Sequence, residues 1–292
     1  MSGRALLLVL AAAVAHAGWN ALAKSAQDSL AFLWSSVALA SVGLMPLGVW
    51  ALTLERWAPA AAWFLLASMG IHAVYFYALG RAYGVGDLSL VYPVARGLGV
   101  AMVPVLAFFF LRERLSLLGA VGIALVVVGI AGMHVRAGTP SNSHPPPDAR
   151  QASRGSGLGW AILTGLTVAT YSVVDKAGVA LVHPLAYISA MGAGMSLLLI
   201  PLVLRRRESL VREWRVNGRA IVLSSTMNLT SYLLVLFAFR LSKAGYVVAA
   251  RETSIVLSVL IGAVLMREGH VAPRLAGAAV VLGGVACVAL TR

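Results

Sequence analysis

VYPVARGLGVAMVPVLAFFFLRERLSLLGAVGIALVVVGIAG, residues Val91 to Gly132, occurs twice in this chain in degenerate form. A constant offset of 155 residues carries Arg96 onto Arg251, Arg112-Glu113 onto Arg267-Glu268, Gly122 onto Gly277 and Gly129 onto Gly284. No gap is needed, and the second copy runs from Val247, the counterpart of Tyr92, to Cys287. Each copy is an apolar run holding an arginine, then an Arg-Glu pair, then a second apolar run studded with glycines. That pattern is a hairpin of two hydrophobic helices. Duplicated membrane transporters leave such repeats in their sequences, with the substrate site where the halves meet.

Composition sets the medium. Hydrophobic residues make up 60% of the chain and charged ones 11%, against roughly 25% charged in an ordinary soluble domain. This is the composition of an integral membrane protein, and 292 residues leave room for about ten helices at on the order of 30 residues per span and loop. The net charge of +13 does not form a basic face for nucleic acid. Its residues flank apolar runs or sit in one loop, where they orient a protein in a bilayer. Cys287 is the only cysteine and lies inside the last apolar run, which excludes a disulfide framework and a cysteine-based metal site. His134 and His144 have no acidic or cysteine neighbours at ligand spacing, so neither a metal nor a cofactor is expected.

Working outward, apolar runs cover residues 5–23, 30–54, 60–80, 88–111 and 115–135, then 158–181, 184–204, 220–239, 244–266 and 271–290. The expected fold is all-α, with ten transmembrane helices in two inverted five-helix repeats, residues 1–135 and 158–292. Between them RAGTPSNSHPPPDARQASRGSG, residues 136–157, is too rich in Pro, Ser, Gly and charge to fold, and reads as a disordered linker. Five spans per half turn the second half over, relating the halves by a pseudo-two-fold axis in the membrane plane. Ala15-His16-Ala17 in the first run has the look of a signal-peptide cleavage site. Setting Lys24 on Lys176 also sets Trp19 on Tyr171, however, and a segment with a counterpart in the second half reads as retained. RRRESLVREWRVNGR, residues 205–219, reads as a surface loop or short helix with Trp214 in the headgroup layer. Trp50, Trp57 and Trp63 bracket the second connection as interfacial tryptophans do.

Arg96 lies eight residues into its run, about 12 Å along the helix. A charge at such depth costs several kcal/mol and faces a partner or a water-filled cavity. Tyr92 is one turn earlier on the same face. Arg251 takes the equivalent place in the second half, followed by Glu252, with Ser254 and Ser258 completing a polar stripe. His16, Asn20 and Lys24 recur every four residues beside Trp19; Tyr171 and Asp175 do the same, with Lys176 next. His72 with Tyr75, and Asn228 with Tyr232, add polar groups at helical spacing. Spans one, three, four, six, eight and nine carry these residues while the others carry almost none, so the set is expected to line one central cavity. The alternatives are that the arginines stand in fixed ion pairs with Glu252 or Asp175 or reach to the surface, and that single His, Asn and Tyr residues only bond helix to helix. Glu113 and Glu268 are expected to form solvated ion pairs with neighbouring arginines. The glycines at 119, 122, 129, 132, 277, 283 and 284 read as packing faces, within the protomer or between the protomers of a homodimer.

WNALAK (19–24), YALGRAYGVGDLSLVYPVARG (77–97), FLRERLSLLGAVGIALVVVGI (110–130) and RLSKAGYVVAARETSIVLSVLIGAVLMREG (240–269) resemble, in order, the EamA-type members of the drug/metabolite transporter superfamily. HAGWNALAK paired with YPVARG is similar to a branch associated with phosphonate utilisation. The resemblance implies movement of small metabolites by alternating access in the inner (plasma) membrane, without ATP, and no GxxxxGK[ST] phosphate loop occurs here. The expectation is a secondary transporter of a small anionic or zwitterionic metabolite. Arg96 and Arg251 would hold its carboxylate or phosphonate, and Tyr92, Trp19, Asn20, Lys24, His72, Tyr75, Tyr171, Asn228 and Tyr232 would complete the pocket. Glu252, Asp175 or His16 would carry a coupled proton. An integral-membrane enzyme acting on a lipid phosphate and a non-transporting scaffold are the rival classes. Orientation is contested: basic residues favour the odd-numbered connections, which argues for external termini, while the resemblance implies cytoplasmic ones.

Overall fold

The computed structural model describes residues 1–23, 25–55, 57–85, 88–135, 147–265 and 271–291, and among them every regular element is a helix. In chain order these are α1 (Gly3–Ala23), α2 (Ser29–Ala51), α3 (Ala61–Val85), α4 (Leu88–Leu111), α5 (Leu117–Val135), α6 (Pro147–Val179), α7 (Pro184–Leu204), α8 (Arg207–Leu241), α9 (Ala244–Arg251), α10 (Thr253–Leu265) and α11 (Val271–Leu290). Seven of them, α1 to α4 and α6 to α8, contain stretches long and apolar enough to cross a membrane; Leu117–Met133 and Arg274–Leu290 are shorter apolar helices. The protein is a multi-pass membrane protein whose outer surface is apolar, as at Phe109, Phe110 and Leu117.

Local chemistry sets several boundaries. Asp28 caps α2, its Oδ1 accepting from the amides of Leu30 and Ala31. His183 caps α7, which opens on Pro184, where a missing N–H costs nothing. Two expectations change and one open alternative is decided. The supposed linker is helical from Pro147 onward, as an extension of α6; proline at a first helical position and the helix formers Ala149, Arg150, Gln151 and Ala152 favour that outcome. Residues 136–146 of the linker, with His144, lie outside the described residues, as do Glu268 and the side chain of His134. Of the two readings of residues 205–219, loop or short helix, the helix holds: residues 207–219 are the first turns of α8, which bends at Asn217 and continues into the eighth apolar run. Most consequential, the ninth run is two helices broken at Glu252, where the chain tightens into i→i+3 bonds, Glu252 N–H to Ala249 O and Ile255 N–H to Glu252 O. Thr253 Oγ1 bonds back to Ala250 O and supports the break. Its counterpart α4 runs unbroken through Arg96.

The heaviest packing is between halves, not within them. The pairs are α5 with α11, α1 with α8, α3 with α6, α4 with α6 and α2 with α7, joined by α1 with α9 and α10. Each half thus lends its first helix to the third and fourth helices of the other. The glycines explain how α5 and α11 approach so closely. A Cβ on Gly122 would stand 2.7 Å from Gly284 O and one on Gly129 2.8 Å from Gly277 O, while Cβ atoms on Gly284 and Gly277 would meet Gly122 O and Gly129 O in return. The expected packing face is therefore within the protomer at these four positions. Gly132 and Gly283 would meet nothing within 4 Å and do not serve it.

Polar straps close both ends of the bundle. At one, Glu113 Oε2 accepts the Ala244 amide at the start of α9 while its Oε1 pairs with Lys176 Nζ at 3.2 Å. Lys176 also donates to the carbonyls of Phe239 and Ser242 at the end of α8. Glu113 therefore pairs with this lysine, across the halves, and not with the neighbouring arginine expected of it: the lysine is needed where α8 leaves carbonyls unsatisfied. At the same end Arg240 and Glu55 form a two-bond surface pair. At the other end Glu213 of α8 is fully buried and accepts the amides of Gln27 and Asp28 and the Asn217 side chain. Glu213→Ala strands two backbone donors, at about 1–3 kcal/mol each if they stay buried. A lowered thermal midpoint in detergent, with Glu208→Ala on the same helix unchanged, is the expected result.

Candidate functional site

The expected central cavity is present. It holds about 70 Å³ and divides into two parts of different chemistry.

The first part is cationic. Arg96 and Arg251 are both buried, from the middle of α4 and the end of α9. Arg96 Nη2 lies 2.6 Å from His16 Nε2, and its Nη1 lies 3.6 Å from Glu252 Oε1. On the far side of the imidazole, Trp19 Nε1 lies 3.2 Å from His16 Nδ1, the two rings meeting edge to face. Guanidinium and indole N–H groups only donate, and a neutral imidazole accepts at one nitrogen. The shorter contact gives the lone pair to Arg96, so the Trp19 N–H faces another donor and is left over. Arg251 Nε is buried with no hydrogen-bond partner, as is Glu252 Oε2. Two arginines against one carboxylate leave one formal positive charge here, and donors outnumber acceptors.

The second part is aromatic and centred on Asp175, which is fully buried. Ser68 Oγ and Tyr187 OH donate to its Oδ1 at 2.5 and 2.8 Å, and Tyr232 OH donates to Oδ2. His72 stacks on Tyr171 with centroids 4.2 Å apart, and Tyr75 and Tyr232 meet these rings edge to face.

Of the residues singled out by sequence, His16, Trp19, His72, Tyr75, Tyr171, Asn228, Tyr232 and Arg251 line the cavity, while Arg96, Glu252 and Asp175 stand directly behind that lining. Asn20 does not join them: its side-chain amide turns back to His16 O on its own helix. Ser258 likewise bonds back to Ser254 O. Lys24 and the side chain of Tyr92 lie outside the described residues. Spans two and seven, which carry almost none of the polar residues singled out, also contribute to the lining. Val37, Ala40 and Ser41 of α2 and Ile188, Met191 and Gly192 of α7 form one wall of the cavity. Ser68 and Tyr187 were missed as partners of Asp175. Ser68 stands one turn before His72, a spacing that the sequence did offer; Tyr187 carries no comparable signal.

Residues 155–290 match the EamA-like transporter family. A stretch of 68 residues is 35% identical to the nicotine metabolites export pump subunit NepA of Paenarthrobacter nicotinovorans; it covers 23% of this chain and 59% of that subunit, less than two thirds of the relative's length. One solved crystal structure superposes with a TM-score of 0.71 at 16% identity, over 99% of this chain and 97% of its own. That likeness establishes a shared fold. The family likeness is to transporters and not to an enzyme acting on lipid phosphate.

Proposed function

We propose that this chain, whose residues 155–290 form an EamA-like transporter domain, is a secondary transporter of a small anionic or zwitterionic metabolite, amino-acid-like or a carboxylate or phosphonate. It works by alternating access in the plasma membrane, with ten spans in two inverted repeats. The observation that carries the substrate class is the donor surplus at the cationic end: two buried arginines, a left-over indole N–H and an unpartnered Arg251 Nε against one carboxylate. A substrate carboxylate or phosphonate supplies the missing acceptors, and the planar forks of Arg96 and Arg251 suit it.

The exchange of helix partners between halves and the reciprocal glycine contacts of α5 and α11 support the inverted repeat. The break at Glu252 supports a site at that level, because transporters place interrupted helices where they hold substrates. A cavity of about 70 Å³ falls well below the ~300–1,000 Å³ of drug-sized ligand pockets, and fits a substrate of few heavy atoms.

Flux into proteoliposomes tests this reading. Saturable uptake of at least one of glycine, L-glutamate and methylphosphonate is expected, and none of choline, which lacks an anionic group. Choline uptake as fast as that of the three anionic or zwitterionic probes would refute the anion reading. Turnover of a lipid phosphate by the same preparation would refute transport as the function.

A further inference from the structure

Three carboxylate or imidazole groups compete for the role of proton carrier, and their surroundings separate them. His16 has its Nε2 lone pair held by Arg96, with Arg251 lining the same cavity, so a further positive charge there meets two others. Glu252 stands against Arg96, so its carboxylate already has a cationic partner. Asp175 differs. Among the described residues no lysine or arginine pairs with it, and Lys176 beside it in sequence is turned away onto Phe239 O, Ser242 O and Glu113. Besides the two tyrosine hydroxyls that donate to it, its neighbour able to carry a positive charge is His72, whose Nε2 lies 3.7 Å from Asp175 Oδ2.

The other nitrogen of His72 fixes the tautomer. Nδ1 lies 3.0 Å from the backbone carbonyl of Ser68, which only accepts, so Nδ1 carries a hydrogen. The neutral ring then turns the lone pair of Nε2 toward a carboxylate oxygen, and two lone-pair-bearing atoms face each other in a buried site. A proton between them removes that conflict. We propose that His72 Nε2 and Asp175 Oδ2 hold one exchangeable proton between them, and that this pair is the proton-binding site of the cavity.

The route follows from exposure. Asp175 is fully buried, whereas His72 and Tyr232 line the cavity. A proton from cavity water forms the Nε2–H bond; passage to Oδ2 breaks that bond and forms O–H, and release reverses both steps. The groups facing the pair are Ser68 and Tyr75 from α3, Tyr171 from α6, Tyr187 from α7 and Tyr232 from α8, with Arg251 of α9 across the cavity. Tyr232 touches both the cavity and Oδ2, so a substrate that displaces its hydroxyl changes how the pair holds its proton. This role in transport rests on the function proposed above; the proton site itself does not.

Solid-state NMR of the full chain in liposomes, with 15N-labelled histidine and no substrate, tests the site. The His72 signals are assigned by their loss in His72→Gln. We expect Nδ1 to remain protonated throughout a pH series while Nε2 alone changes, and the Nε2 midpoint to move by about one pH unit or more in Asp175→Asn. Tyr232→Phe and Ser68→Ala, which leave the carboxylate in place, are expected to move it too, and they serve if Asp175→Asn does not fold. Titration of Nδ1, no Nε2 transition over the pH range in which the protein stays folded, or a midpoint indifferent to every one of these replacements would overturn the proposal. Choline uptake defeats the anion reading without touching this result, and an unmoved Nε2 defeats the proton site without touching the anion reading.

Discussion

Arg251→Gln is expected to weaken binding or flux of the anionic probes by about 10- to 100-fold while leaving folded protein in the membrane, because hydrogen bonds to a charged group contribute about 1.5–3 kcal/mol. Its Nε has no hydrogen-bond partner to strand, and of its neighbours Tyr171 also stacks on His72 and Glu252 also faces Arg96, so the larger loss falls on the substrate. Arg251→Lys should rescue poorly, since an ammonium keeps the charge without the planar two-donor fork. Arg96 behaves differently because it already serves Glu252 and His16. Arg96→Gln leaves Glu252 buried without that guanidinium, at about 3–5 kcal/mol, and so lowers both flux and the amount of folded protein. Arg96→Gln combined with Glu252→Gln removes the stranded charge and should restore the protein but not the flux. Wild-type flux of L-glutamate and methylphosphonate in a well-folded Arg96→Gln, Arg251→Gln protein would end the anion-site reading.

Gly284→Ala is expected to destabilise the protein by about 1–3 kcal/mol, as overpacking does where neither side can retreat. The new methyl would stand 2.5 Å from Gly122 O and 2.9 Å from the Val126 amide nitrogen, and backbone atoms cannot rotate away as a side chain can. Gly122→Ala strains the same contact from the opposite helix. The double replacement should depart from additivity, since both methyls press on one crossing. Gly132→Ala is the control, with nothing within 4 Å of the new carbon, and should be neutral or slightly stabilising through helix propensity. Thermal unfolding in detergent distinguishes the two; equal midpoints for Gly284→Ala and Gly132→Ala would refute the close packing of α5 on α11.

The all-helical membrane fold and the residues of the cationic site were legible because both depend on signals that survive duplication. Apolar runs announce helices in lipid, and a charge inside one is costly enough to stand out at Arg96 and Arg251. The walls from α2 and α7 were not legible, because Val37 or Met191 facing a cavity has the same composition as a leucine facing lipid. The break at Glu252 was hidden for a similar reason: AARETS is neither glycine-rich nor proline-bearing, and the buried setting of Arg251 and Glu252 decides it. Glu213 was unreadable as a core residue. It sits in a basic stretch that looks like exposed surface, and only the amides of Gln27 and Asp28, far away in sequence, show why a carboxylate is buried there. Partner choice was hidden too, since nothing local to Glu113 tells an adjacent arginine from Lys176.

The two straps have a consequence for how motion can be timed. Glu113 holds the first amide of α9, and Glu213 holds the amides just ahead of α2, at opposite ends of the molecule. Pulling the Glu113 end apart uncaps α9, and pulling the Glu213 end apart frees the two amides ahead of α2, so separation and the release of backbone donors become one event at each end. The amide hydrogens of Ala244 on one side, and of Gln27 and Asp28 on the other, therefore act as independent clocks. Their exchange rates with heavy water report how often each end separates, and under the alternating access proposed above a substrate should speed one while slowing the other.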